Sequence, residues 1–165
     1  MIDIALLQKV RIFSGLYPQQ MQLLQSILKE ARFSKGDYIL KEDSLGDTIY
    51  LLTEGKVKVT KELVKGIDEN KSGDKVLASL EASLLPTFGE NGILGHAPRT
   101  ANVIAATDCL LYYITKQDFD LLATKDVNAA YQITLNIAQV LSDRLHSTDE
   151  NLVKLATALY IAVQQ

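Results

Sequence analysis

A single cysteine, Cys109, is present, so no disulfide can close within the chain and stability must come from a packed core. One cysteine among 165 residues also fits a reducing compartment. The chain lacks excess positive charge: 17 Lys and Arg against 20 Asp and Glu give a formal net charge of −3. That argues against a general polyanion binder, so an anionic ligand needs a local device to hold it. Long apolar runs are missing too, with nothing near the ~18 residues that a membrane span requires. The first residues, Met1-Ile2-Asp3-Ile4-Ala5-Leu6-Leu7, have an early acid and neither a basic start nor a cleavage-site pattern. The expectation is a cytoplasmic protein with no membrane partner. Histidine is scarce as well. His96 and His146 are the only two, too few for a metal-binding jelly roll, which wants several His or carboxylates on adjacent strands. His146 lies beside Ser142, Asp143 and Ser147, but neighbours on one helix cannot converge as a catalytic triad. The expectation is no enzyme, no metal and no cofactor.

What is present reads as one domain spanning 1–165, at ordinary globular composition with 47% hydrophobic and 22% charged residues. Residues 1–30 read as N-terminal helices, with Leu6, Leu7 and Val10, then Met21, Leu24, Ile27 and Leu28 at helical spacing. Pro18 breaks that region in two and suits a helix's first turn. Residues 31–115 change rhythm to short stretches between turns at Gly36-Asp37, Gly46-Asp47 and Gly55. Candidate strands fall at 48–52, 57–60, 76–80, 102–106 and 109–114, a spacing that predicts a mainly β fold, a β-roll or jelly-roll barrel. The polar stretch 65–75 reads as an exposed hairpin tip. Residues 116–165 return to helix, with Thr115 placed to cap it and no Gly or Pro after Pro98. Ile133, Ile137, Val140, Leu141, Leu145, Leu152, Leu155 and Leu159 form a long apolar stripe there, on one long helix or two in tandem. Such a stripe needs a cover, either the chain's own roll or a second copy.

The segment 88–101 carries the chemistry. Gly89, Gly92 and Gly95 let the backbone approach a ligand closely. Residues 90–94 can form one helical turn with free N–H groups aimed at an anion. Pro98 fixes the approach to Arg99, read as opening a strand, whose guanidinium can fork onto phosphate oxygens. Glu90 accepts hydrogen bonds and so suits a sugar hydroxyl. By spacing alone, Glu90 and Arg99 could equally pair with each other while the glycines make turns.

Phe88-Gly89-Glu90-Asn91-Gly92-Ile93, then Pro98-Arg99-Thr100-Ala101, resembles the phosphate-binding cassette of the cyclic nucleotide-binding domain family. The turns at Gly36, Gly46 and Gly55 and the stretch Phe13-Ser14-Gly15-Leu16 extend the resemblance, which runs from about Leu6 to Leu122. It implies that Glu90 binds the ribose 2′-hydroxyl. Arg99 would bind the cyclic phosphate, helped by the N–H groups of Gly92 and Thr100. Val59 and Leu80, by strand alternation, would wall the base. Asn91 departs from the family's usual aliphatic residue, and 81–87 departs from its usual Gly-containing turn. Thr100 favours cyclic GMP by resemblance, whereas the family's commoner ligand is cyclic AMP, and the reading leans to cyclic AMP. The resemblance further implies a sensor that couples ligand to its C-terminal helix, a homodimer through that helix and an unknown protein effector. No DNA binding is expected, because no helix-turn-helix follows the roll. The alternative is a roll without a ligand, or with another effector, serving as a dimerisation or interaction module.

Overall fold

The computed structural model describes residues 2–62, 74–95 and 98–163. The N-terminal region holds α1 (Ile4–Leu7), a 3₁₀ turn at Arg11–Phe13 and α2 (Pro18–Ile27). Pro18 takes the first position of α2, and the Gln20 side chain accepts the Tyr17 N–H at 2.9 Å. The helical reading of the first thirty residues fails at its end: α2 stops at Ile27 and Lys29 already begins a strand. Leu28, Lys29 and Glu30 carried no periodicity able to separate a helix's last turn from an edge strand.

Eight strands follow among the described residues: β1 (Lys29–Phe33), β2 (Tyr38–Leu40), β3 (Thr48–Glu54), β4 (Lys56–Glu62), β5 (Asp74–Glu81), β6 (Thr87–Phe88), β7 (Asn102–Ala105) and β8 (Cys109–Thr115). They pair antiparallel in two four-stranded sheets, β1-β8-β3-β6 and β2-β7-β4-β5. This is the mainly β roll that the strand spacing predicted. Most of the stretch expected as a hairpin tip, 65–73, lies outside the described residues, and its last two residues already belong to β5. The dipeptide strand β6 was too short to be seen in the sequence.

Period-two alternation gives the first sheet two buried faces. On β3, Ile49 and Leu51 join a core shared with the helices, while Leu52 packs between the sheets. On β8, Tyr112 and Ile114 face the helices, and Cys109 and Leu111 face the other sheet with Val57, Val103 and Ala105. Tyr50 stacks on Phe88 at 5.7 Å between ring centres, which ties β3 to the start of the 88–101 segment.

A single helical turn, α3 (Asn91–Leu94), lies between β6 and β7, and beyond β8 come α4 (Lys116–Lys125) and α5 (Val127–Val163), so two helices in tandem rather than one. Thr115 caps α4 as expected, accepting the Asp118 N–H at 3.2 Å, while the Asp118 carboxylate accepts the Thr115 N–H at 2.9 Å. Asp126 separates the helices in an extended conformation and accepts the Ala129 N–H at 2.9 Å. Of the 37 residues of α5, Ala129, Ala130, Ile133, Ile137 and Val140 are buried against the N-terminal helices and α4. Asn136 fastens the same face, donating to the carbonyls of Ile12 and Ser14 at 3.1 and 2.8 Å. The apolar stripe therefore divides. Its first half lies on the chain's own body, whereas Leu145, Leu152, Leu155 and Leu159 are each more than 60% exposed.

Candidate ligand site

The segment after β6 turns sharply at Gly89, whose φ of +85° is one that a side chain would resist. Residues Asn91–Leu94 then form the single turn α3. Arg99 is held by its backbone, its N–H on the Ser44 carbonyl and its carbonyl on the Asp43 N–H, both at 2.9 Å. It precedes β7 by three residues instead of opening it, because its backbone bonds a loop and not a strand.

The Arg99 side chain passes into a pocket of backbone. Nη1 donates to the Gly89 carbonyl at 2.8 Å, and Nη2 donates to the Thr48 carbonyl and hydroxyl at 2.9 and 3.0 Å. Glycine makes this possible. A Cβ at Gly46 would stand 2.6 Å from Nε and Nη2, and one at Gly89 or Gly92 would stand 2.9 Å from Nη1. Burial draws the Arg99 pKa below its ordinary value, while Tyr50, Asp47 and Glu90 pull the other way. An arginine so placed keeps its charge. Guanidinium has five N–H donors. The bonds above leave donor capacity, Nε–H included, for a further acceptor.

Glu90 is also buried, with 3% of its surface exposed, yet it does not pair with Arg99. One carboxylate oxygen accepts the Thr87 hydroxyl at 3.2 Å, and the other accepts Nη1 of Arg144 at 3.0 Å. Nη2 of Arg144 reaches the Thr87 carbonyl at 2.8 Å. Arg144 stands on α5, so the helix closes over the segment from above.

Between these charged groups lies a cavity of about 740 Å³, within the usual range for small-molecule sites. Arg99, Glu90 and Thr100 line it, as do Phe88, Gly89, Asn91 and Ala101. Val59 and Leu80, half-buried, line its apolar side together with Leu77 and Val103. Two expected residues do not line it. Gly92 lies behind the Arg99 guanidinium, and Ile93 packs into the helical core. The Gly92 N–H, expected to face a ligand, is spent inside the turn on the Gly89 carbonyl at 3.0 Å. His96 lies outside the described residues. His146 is exposed and faces Glu150 one turn on. Among the described residues no cluster of His, Cys, Asp and Glu converges to hold a metal, and no helix is long and apolar enough to cross a membrane.

Sequence reasoning missed Arg144, Asp143 and Arg11. Arg144 had a readable signal, since 133, 137, 140 and 144 continue one inward face at helical steps. A cation continuing an apolar stripe points to a buried anion. Asp143 pairs with Arg11 across the rim of the cavity, a contact between distant segments that no local pattern announces.

Residues 30–126 match the family described as the cyclic nucleotide-binding domain, and the chain belongs to that family. A cGMP-dependent protein kinase of Drosophila melanogaster is 31% identical over 120 residues, 70% of this chain and 12% of the kinase. Human cGMP-dependent protein kinase 2 is 25% identical over 155 residues, 94% of this chain and 19% of the kinase. The chain thus spans less than a fifth of the length of these curated relatives. Among solved structures, the catabolite activator protein of Thermus thermophilus superposes with a TM-score of 0.74 at 26% identity, covering 88% of this chain and 63% of that one. A cyclic nucleotide-binding domain from Methylobacillus flagellatus has a TM-score of 0.75 at 19% identity, covering 91% and 80%, which shows the shared fold.

Proposed function

We propose that the chain is a sensor module that binds a purine cyclic mononucleotide, cyclic AMP or cyclic GMP, and passes its occupancy to a partner through α5. One observation carries the reading: a buried arginine and a buried glutamate, not paired with each other, face one cavity of nucleotide size. Arg99 offers its remaining N–H donors to the cyclic phosphate, a charge-assisted contact in a site that backbone has already shaped. Glu90 accepts the ribose 2′-hydroxyl through lone pairs that Thr87 and Arg144 leave free. Val59, Leu77 and Leu80 offer the base an apolar wall. The curated relatives above are named for cyclic GMP, against the lean to cyclic AMP taken from the family at large. Thr100 lines the cavity, and a hydrogen bond from its hydroxyl to a guanine would be worth about 1 kcal/mol toward cyclic GMP, a bias that does not decide the ligand.

The same proposal assigns the outer half of α5 to a second copy of the chain. Leu141, Leu145, Thr148, Leu152, Leu155, Leu159 and Ala162 follow one another by alternating steps of four and three, the seam of a two-stranded coiled coil. Ligand binding then favours one pose of α5 over another and alters what the paired helices present.

Titration calorimetry with each cyclic nucleotide tests the site. The wild type binds at least one of them at micromolar concentration or tighter, and Arg99→Ala weakens that binding by tenfold or more. A wild type that takes up neither ligand overturns the reading.

A further inference from the structure

Lys61 interrupts the wall on which it stands. Alternation along β4 turns Val57, Val59 and Lys61 to one side. Val57 is buried between the sheets, Val59 lines the cavity, and Lys61 ends the row with a charge. Among the described residues of β4 and β5 that line the cavity, Lys61 is the one polar side chain. Its companions are Val59, Leu77, Ala78 and Leu80.

The ammonium is anchored but not saturated. It donates to the Thr100 carbonyl at 3.3 Å and pairs with Glu42 at 3.4 Å. Glu42 is itself fixed by backbone: its N–H rests on the Asn102 side chain at 2.8 Å, and its other carboxylate oxygen accepts the Glu62 N–H at 3.2 Å. The Glu42 side chain is 17% exposed and that of Lys61 is 52% exposed, so the pair is closed at the carboxylate and open at the ammonium. An ammonium has three N–H donors, which leaves one for a ligand. The other cations around the cavity are engaged elsewhere, Arg11 with Asp143, Arg144 with Glu90, and Arg99 with the carbonyls of Gly89 and Thr48.

A donor at this point of the wall discriminates between purines. Guanine presents two acceptors side by side, O6 and N7, whereas adenine presents N7 beside an amino group that itself donates. An ammonium can only donate, so it favours the first edge and is repelled by half of the second. We infer that Lys61, held in place by Glu42, selects the base by donating to the O6 and N7 edge of a 6-oxopurine, so that the cavity takes cyclic GMP in preference to cyclic AMP. This inference rests on the cyclic-nucleotide reading, in which Arg99 and Glu90 hold phosphate and sugar, and adds to it the identity of the base. Thr100 would meet a different group, the amino group of guanine. Cyclic IMP keeps O6 and N7 and lacks that amino group, so it isolates the contribution of Lys61.

The test is a titration of the wild type, Lys61→Met and Lys61→Arg with cyclic GMP, cyclic IMP and cyclic AMP, after circular dichroism has shown each variant folded. The wild type should bind cyclic GMP and cyclic IMP about tenfold more tightly than cyclic AMP. Lys61→Met, which keeps the length of the side chain and loses the charge, should weaken the two 6-oxopurine ligands about tenfold and cyclic AMP less than about twofold. Lys61→Arg should keep the preference. Equal weakening of all three ligands would assign the ammonium to the phosphate, and unchanged affinities would remove it from the site. A wild type that binds cyclic AMP as tightly as cyclic IMP needs no variant to count against the idea. Each of these three results overturns the inference while leaving the sensor reading intact. A wild type that binds none of the three nucleotides overturns both.

Discussion

The Arg99 guanidinium is enclosed by backbone, and the atoms doing the enclosing differ in how easily they yield. At Gly46 the nearest atoms that a Cβ would meet belong to the Arg99 side chain, at 2.6 Å, whereas at Gly92 it would meet the Gly46 carbonyl at 2.6 Å and the Thr48 N at 3.1 Å. Side chains can swing and backbone cannot, so the two substitutions should separate binding from stability. Gly46→Ala should push the guanidinium aside and reduce cyclic-nucleotide affinity about tenfold or more, with a small fall in Tm. Gly92→Ala should lower stability by about 1–3 kcal/mol as well, because one loop must move off another. Calorimetry and thermal unfolding on both variants check the pair. The sequence displayed Arg99 and Glu90 plainly, since Gly, Glu and Arg at those intervals form a recognisable pattern. Their partners were hidden. Thr48, Ser44 and Gly46 approach Arg99 across some fifty positions, and that closeness exists only once the sheets have paired.

Helix α4 shows how one carboxylate secures an element twice. Asp118 completes the cap with Thr115 and also accepts the Lys29 ammonium of β1 at 2.7 Å. Burial alone would push its pKa up, but Lys29 and the Thr115 hydroxyl and N–H outweigh that and hold it below the ordinary 3.8. A depressed carboxylate contributes its full stability above the unfolded-state pKa and loses it as pH falls toward the folded-state value. Asp118→Asn should therefore be less stable than the wild type near pH 7, with the gap closing as pH drops below 3.8. Urea unfolding across that range measures it. The cap itself was legible from Thr115, but the link to β1 was not, because the register of β1 on β8 brings Lys29 to α4. Strand boundaries behaved likewise. Alternation marked the long strands, whereas β6, with two residues, is defined by its pairing with β3 alone.

At the scale of the whole molecule, α5 is too long for the body it lies on. Its 37 residues reach about 55 Å, and the buried face ends at Val140. The remainder exposes Leu145, Leu152, Leu155 and Leu159 to water, a cost that the proposed second copy of the chain would remove. Leu152→Glu with Leu155→Glu should convert a dimer into a monomer in sedimentation equilibrium while leaving the roll folded. A wild type that is already monomeric at high micromolar concentration sinks the paired-helix proposal. The apolar stripe was visible in the sequence from end to end, but the point at which its cover changes was not. Val140 and Leu145 look alike in hydropathy, and only the extent of the N-terminal helices decides which of them has a neighbour.

The chain's lone thiol has a further use. Cys109 is 5% exposed between the sheets, its Sγ 3.3 Å from the Lys56 carbonyl, with Gly55 turning directly over it. An alkylating reagent reaches that sulfur only when the strands part, so the rate of its modification counts how often the barrel breathes. The protein thereby carries an internal clock for its own opening, readable without any added label.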